Sequence, residues 1–214
     1  MSTTKLSRKE REKATHKEEI LQAALCLFSS KGFYNVSMQE IANKSEFAVG
    51  TLYNFFDSKE SLFEGLINHF GEKILGEVSE ILDGSGNEAQ RLTALIRYQP
   101  QIQEKYSEVI KLCASVLDNI TTSKIHKKSR IKEVMNLKIM HLLEQGIHKG
   151  LFRAVDPEIT SKVINSTIET LAFEIAGSFD KAKVTEMFKK VEQLFIGGLL
   201  NPETTKFADT VGGS

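Results

Sequence analysis

Apolar residues recur at helical spacing along almost the whole chain, without the strict alternation of a half-buried strand. The first such segment runs from Thr15 to Ser30. Thr15 and Glu18 have the spacing of a capping box, and Gly32 predicts the end of the helix. Its inward positions are Ile20, Ala24, Leu27 and Phe28. The pattern predicts an all-α protein that opens with an amphipathic helix.

Two very short helices with a tight turn between them are predicted next. Ser37 and Glu40 have capping-box spacing, and Val36 and Ile41 are placed to form the accompanying hydrophobic staple. The second helix, residues 49–55, would present its exposed side to a DNA major groove. Helices this short need a third helix to pack on, and residues 15–30 supply it. The three predict a helix-turn-helix DNA-binding head over residues 15–57.

The rest of the chain predicts a larger helical domain over residues 58–200. A long helix from Ser58 to Leu82 has a wide apolar face, and Asp83-Gly84-Ser85-Gly86 ends it. Further helices are predicted over residues 88–99, 102–119, 131–149, 157–178 and 182–200. Pro157 in a first turn, with Asp156 before it, is a clear start signal. Residues 201–214 are predicted to form a flexible tail.

The last two predicted helices carry broad apolar stripes, wider than burial on one side requires. If these stripes met their copies, they would form a four-helix dimer interface. The alternative, that the monomer's own core uses both stripes, stays open. The dimer interpretation assigns these residues to the interface: Ile164, Ile168, Leu171, Phe188 and Phe195.

A dense set of residues in and around the predicted head falls into one register. Its members are Lys31-Gly32-Phe33, Ser37, Ile41-Ala42, Gly50-Thr51-Leu52-Tyr53, Phe56, Lys59-Glu60 and Leu62. Over residues 15–65 the chain resembles the TetR family of bacterial transcription regulators. The resemblance implies a homodimer that binds a pseudo-palindromic operator, most simply as a repressor, and that a small apolar or amphipathic effector releases.

The same resemblance indicates the DNA-contacting residues. Tyr53 and Lys59 match positions that hold phosphates, whereas short side chains on the second helix would reach base edges. The predicted contact set is Ser37, Ala48, Val49, Thr51, Tyr53, Asn54 and Lys59. The chain departs from the family in its turn, where Ser45-Glu46-Phe47-Ala48 replaces the usual Ala-Gly-Val-Ser, so a turn glycine and a capping hydroxyl are both missing. Phe55 likewise stands where His or Tyr is common.

The charge is unevenly distributed, although the 214 residues have a net charge of zero. Residues 1–17 hold six basic and two acidic side chains, a net charge of +4. We interpret residues 1–14 as a flexible basic arm that assists DNA binding. A second basic run, residues 124–138, is interpreted as a solvated loop and helix face.

The middle helices combine aromatic and flexible apolar side chains with isolated polar ones, as an effector pocket does. Any one of them is also compatible with an ordinary helical core. The predicted pocket residues are Phe70, Tyr98, Tyr106, Ile110, Cys113, Asn136, His141, Glu169 and Phe173.

Other function classes find little support. The chain has no nucleophile elbow, P-loop, zinc-protease helix or dinucleotide-binding glycine motif, so we expect neither an enzyme nor a bound cofactor. Cys26 and Cys113 lack metal-ligand spacing, and Cys26 is predicted to be a core residue. No apolar run of about 18 residues and no signal-like start occur, which predicts a cytoplasmic protein. An effector-independent DNA-architectural protein remains the alternative.

Overall fold

The structure, a computed structural model, describes residues 7–117, 130–177 and 179–202. Within these ranges the chain is helical, and the strand-like pairing is limited to an isolated bridge between Phe152 and Leu200. This confirms the predicted all-α fold. No helix in the same ranges is long and apolar enough to cross a membrane. The predicted tail beyond residue 202 and most of the basic run before residue 130 lie outside the described residues.

The head contains α1 (Arg8–Lys31), a 3-10 turn (Phe33–Asn35), α2 (Met38–Lys44) and α3 (Val49–Tyr53). Ser37 caps α2 as predicted: its hydroxyl accepts from the Glu40 backbone N–H at 3.2 Å, and the Glu40 carboxylate accepts from the Ser37 N–H at 2.9 Å. Phe28 and Phe33 pack against each other with ring centres 5.2 Å apart. Helix α1 thus supplies the packing that the two short helices need.

Helix α1 begins at Arg8, so the boundaries predicted for the basic arm and for the first helix are wrong. Ser7 is the N-cap, and it forms the capping box with Glu10. Thr15 instead lies within α1, after its start, and its hydroxyl donates to the Arg11 carbonyl at 3.1 Å. The sequence contains two capping-box spacings eight residues apart, and the earlier one starts the helix. Residues 1–6 lie outside the described residues.

The remaining helices surround a long central one. They are α4 (Lys59–Leu82), α5 (Glu88–Arg97), α6 (Gln99–Lys105), α7 (Ser107–Leu117), α8 (Arg130–His148), α9 (Pro157–Ile175) and α10 (Lys181–Leu199). The helix predicted over residues 102–119 is divided into α6 and α7, because the helix is interrupted at Tyr106. Helix α6 also begins earlier than predicted, at Gln99. Pro100 lies in the first turn of α6, where its missing N–H costs no helical hydrogen bond.

Helix α4 connects the head with the rest of the molecule. It packs against α1 of the head and also against α5, α7 and α8. The buried side chains form one continuous cluster that includes Leu52 of the head and Leu143 of α8. Lys73 of α4 also pairs with Glu18 of α1, with 2.7 Å between Nζ and Oε1. A displacement of α4 would therefore also change the position of the head.

Gly146 of α8 allows Phe152 to pack directly on the helix backbone. A Cβ atom at position 146 would lie 2.2 Å from Phe152 Cδ2, and Phe152 is buried. We expect Gly146→Ala to lower the free energy of unfolding by about 1–3 kcal/mol because the ring must move. Gly76→Ala in α4 is the control: nothing lies within 4 Å of its added Cβ, and it should raise stability by about 0.5–1 kcal/mol. Urea unfolding of both variants measures the difference, and equal effects would contradict it.

Candidate nucleic-acid interface and ligand cavity

Helix α3 is held by one buried residue and presents the opposite side outward. Leu52 is fully buried, whereas Tyr53 is 50% exposed and Asn54 is exposed at the C-cap. The other predicted DNA contacts differ in exposure. Ser37 and Ala48 are exposed, and Thr51 is half-buried. Val49 is also half-buried and packs on the core. The outward side of α3 is thus short, polar and aromatic.

The turn before α3 adopts its geometry without the residues that usually favour it. Glu46 has a φ of 59°, in the left-handed region, which costs a non-glycine residue about 1–2 kcal/mol. Ala48 is the N-cap of α3 and provides no side-chain hydrogen bond. Packing compensates, since the Phe47 N–H donates to the Ala42 carbonyl at 3.0 Å and its ring lies 5.0 Å from His16. The departure noted in the sequence therefore leaves the helix-turn-helix intact.

Basic residues of α1 lie beside the end of α3. Lys13 Nζ lies 5.9 Å from the centre of the Phe55 ring, and Lys17 Nζ lies 5.7 Å from that of Phe56. Residues 7–17 hold five basic and two acidic side chains, a net charge of +3. A helix therefore presents this positive charge next to α3. The arrangement suits a polyanion, because a fixed position reduces the entropy lost on binding.

Lys59 is engaged within the head. Its Nζ donates to the carbonyls of Phe33 and Val36, both at 2.9 Å, and to that of Tyr34 at 3.4 Å. It also lies 4.7 Å from the centre of the Phe33 ring. These three carbonyls use all three N–H groups of the ammonium. The geometry thus joins the start of α4 to the 3-10 turn and leaves no donor for the phosphate contact predicted from the family resemblance.

A cavity of about 210 Å³ lies between α4, α6, α7, α8 and α9. Three predicted pocket residues line it, namely Ile110, Glu169 and Phe173. Its apolar wall also includes Ile67, Ile74, Ile102, Ile131, Met135, Ile139, Ile168 and Ala172. Sequence reasoning missed most of these because isoleucine at helical spacing has the same pattern in a cavity wall as in a filled core.

The polar groups at this cavity are few. Lys132 Nζ donates to the Glu169 carboxylate, so the wall carries a positive and a negative charge in direct contact. Asn165 donates to Asn136 at 2.8 Å, which places the predicted residue Asn136 one side chain behind the cavity. The wall is therefore close to neutral.

Other predicted pocket residues lie elsewhere. Phe70 and Tyr106 line a separate open cleft between α1, α4 and the α6–α7 junction. Tyr98 and Tyr106 donate to the Glu77 carboxylate at 2.9 and 2.5 Å, and Lys105 donates to it at 2.6 Å. Partial burial opposes ionisation of Glu77, but hydrogen bonds from Lys105, Tyr106 and Tyr98 outweigh it and lower its pKa. This cluster ties α4 to α6 and α7.

Two further predictions need correction. His141 is exposed and does not line the cavity, because it lies on the outer side of α8, next to buried Leu142. Cys26 is exposed rather than a core residue. Cys113 is half-buried and packs on the core, and burial raises the pKa of its thiol to about 12. Cys113 is therefore a protonated thiol at neutral pH, the unreactive form.

The predicted dimer residues divide into two groups. Ile164 and Phe188 are buried within the chain, 0% and 1% exposed, so they belong to the monomer's core. Ile168, Leu171 and Phe195 are partly buried and pack against that core. The exposed apolar side chains on these helices are instead Ile159, Val163 and Leu194, at 62%, 49% and 70% exposed.

Comparisons with known proteins agree with this geometry. Residues 20–66 match the family model described as bacterial regulatory proteins, tetR family. The chain is 24% identical over 194 residues to the HTH-type transcriptional repressor KstR2 of Rhodococcus jostii, covering 89% of this chain and 94% of the relative. It is also 24% identical over 181 residues to the nucleoid occlusion factor SlmA of Aliivibrio fischeri, covering 83% and 92%.

A solved structure shares the fold. The transcriptional regulator FadR of Bacillus subtilis, in complex with stearoyl-CoA, superposes with a TM-score of 0.72 at 17% identity. The match covers 85% of this chain and 98% of that one. Head, central helix and surrounding helices thus form one shared architecture.

Proposed function

We propose that this chain, a member of the tetR family of bacterial regulatory proteins and a ligand-responsive DNA-binding regulator, represses transcription as a homodimer on a pseudo-palindromic operator. In this proposal residues 7–57 form the DNA-binding domain and residues 58–200 the effector-binding and dimerisation domain. The outward residues of α3, chiefly Tyr53 and Asn54, enter the major groove. The basic side chains at the start of α1 contact the phosphates beside it.

The observation that carries the proposal is that one helix, α4, borders the cavity and also supports the head. Ile67 and Ile74 line the cavity from α4. On the same helix, Gly65 receives the ring of Phe56, whose Cε1 would lie 2.6 Å from a Cβ there. A molecule that displaces Ile67 or Ile74 therefore also displaces the helix on which Phe56, after α3, packs. In a dimer, this displacement changes the separation of the two α3 helices.

The cavity lining favours an effector with a mostly apolar body. Burial of apolar ligand surface against isoleucine walls supplies the binding free energy, at roughly 25 cal/mol per Å². FadR, which shares the fold, is solved in complex with stearoyl-CoA, an acyl thioester. We propose an acyl thioester or a similar amphipathic molecule as the effector, with its apolar part between α4 and α9.

The test begins with the operator. Selection from random DNA with the full-length chain should enrich a twofold-symmetric site, because two copies of α3 read two half-sites. Stearoyl-CoA and octanoyl-CoA are then added to the complex, with free coenzyme A as the control. We expect an acyl thioester to lower operator affinity by about 100-fold, a coupling of about 2.7 kcal/mol, and free coenzyme A to have no effect. Fluorescence anisotropy of labelled DNA measures the release.

The competing function is effector-independent organisation of DNA, which the likeness to SlmA favours. It predicts a selected site, or general binding, that no acyl thioester weakens. Thermal unfolding distinguishes the two further, because a ligand that binds the folded state raises the melting temperature. Absence of both DNA release and thermal stabilisation with every acyl thioester tested would overturn the effector proposal.

A further inference from the structure

Two glutamines on α6 face the cavity between α4 and α9, and both are buried. Gln99 is 4% exposed and Gln103 is 2% exposed, and both line the cavity. They are four residues apart, so they project from the same side of the helix. Gln101 between them is exposed to solvent. The pattern of burial thus directs two neutral amides inward from a segment whose sequence is mostly polar.

The two amides differ in their hydrogen bonds. Gln99 Nε2 donates to the carbonyl of Leu95 at 3.0 Å. Gln103 makes no hydrogen bond to any of the described residues, although its side chain offers two donors and an acceptor. Most of the residues that line the same cavity are apolar, among them Ile102, Ile110 and Phe173. Gln103 is therefore a nearly buried amide that faces open space in an apolar cavity.

A buried polar group without a partner is costly, and an apolar residue of similar size would suit this wall better for stability alone. The charged groups at the cavity, Lys132 and Glu169, are paired with each other. Any polar part of a bound molecule that reaches α6 therefore meets a neutral amide. An amide matches an uncharged oxygen, such as a carbonyl or a hydroxyl, whereas a carboxylate would lose its hydration without gaining an opposite charge.

We propose that Gln103 recognises an uncharged carbonyl or hydroxyl oxygen within the apolar body of the effector, with Gln99 beside it. This inference rests on the proposed function, because it assigns a specificity role within the same cavity. It narrows the effector from any apolar molecule to one that carries a neutral oxygen at the level of α6. An acyl thioester carbonyl and a ketone both meet this requirement, and a plain hydrocarbon does not.

The experiment compares methyl octyl ketone with the alkene in which a methylene group replaces its carbonyl oxygen. The two probes have almost the same shape, but the ketone oxygen loses its hydration on binding, so the ratio of the two affinities is compared between the wild-type protein and a variant without the amide. Calorimetric titration should give a ketone-to-alkene affinity ratio about tenfold higher for the wild-type protein than for that variant, the effect of one net hydrogen bond. An equal ratio in the two proteins would overturn the role of Gln103 and leave the proposed apolar cavity standing.

Gln103→Met keeps the length of the side chain and removes the amide. It should lower the ketone-to-alkene affinity ratio about tenfold, leave the affinity for the alkene unchanged, and raise the melting temperature of the ligand-free protein. Gln101→Met, on the exposed side of α6, should retain the wild-type ratio. If Gln103→Met also retains the wild-type ratio, another group binds the oxygen. If neither probe binds the wild-type protein, the proposed apolar effector fails and this inference with it.

Discussion

Leu194→Asp is expected to dissociate the dimer and to reduce operator affinity by about 100-fold or more, since one head alone contacts only a half-site. Leu194 is 70% exposed on α10 in the single chain. Gly197 and Gly198 follow it, and nothing lies within 4 Å of a Cβ at either position. A second helix can therefore approach α10 closely at this point. Burying an unpaired carboxylate there would cost several kcal/mol.

Helix α9 also carries exposed apolar side chains. Its exposed side has Ile159 and Val163, 62% and 49% exposed, and continues through Ser166 and Thr170 without a charged residue. A helix face that is solvated in the working protein normally carries charges. We therefore expect the exposed sides of α9 and α10 to meet their copies in a four-helix interface.

Thr185→Asp is the matched control for Leu194→Asp. Thr185 is exposed on the same helix, and nine residues separate the two positions, which places them on opposite sides of α10. Sedimentation velocity at micromolar concentration should show a monomer for Leu194→Asp and a dimer for Thr185→Asp. A dimeric Leu194→Asp that binds the operator normally would show that this face is not the interface.

The helix boundaries that sequence patterns located well depend on a few neighbouring residues. Ser37 with Glu40, Ser58 at the start of α4, and Asp156 before Pro157 each act within one turn of chain. Gly150 takes a φ of 70° at the predicted end of α8. Such local signals fail when two compete, as Ser7 and Thr15 do, because the choice then depends on the packing of the whole helix.

The direction in which an apolar side chain points was harder to predict. Val163 and Ile164 are adjacent in one broad stripe, yet the first is 49% exposed and the second is fully buried. Periodicity cannot separate them when both sides of a helix are apolar, one toward the core and one toward a second chain. Gln103 shows the opposite case. The sequence predicts that a glutamine among polar residues is exposed to solvent, and only the tertiary position of α6 places Gln103 at the cavity.

Lys59→Met is expected to lower the free energy of unfolding by about 2–4 kcal/mol, because hydrogen bonds to a charged donor contribute about 1.5–3 kcal/mol each. The variant leaves the carbonyls of Phe33 and Val36 without the ammonium that each accepts from at 2.9 Å. These carbonyls belong to the connection between α1 and α2, so the position of the helix-turn-helix on α4 depends on them. Urea unfolding followed by circular dichroism measures the loss.

The salt dependence of operator binding separates this structural role from the phosphate contact that the family resemblance predicts for Lys59. Measured at a temperature where the variant is folded, Lys59→Met should leave the slope of log affinity against log salt unchanged. Lys13→Met is the control, since Lys13 is exposed near the start of α1 and its Nζ lies 5.9 Å from the centre of the Phe55 ring, beside the end of α3. It should preserve stability and reduce the slope by about 0.9 per phosphate lost. The opposite pattern, with a reduced slope and full stability for Lys59→Met, would mean that its ammonium leaves the three carbonyls and binds a phosphate when DNA is present.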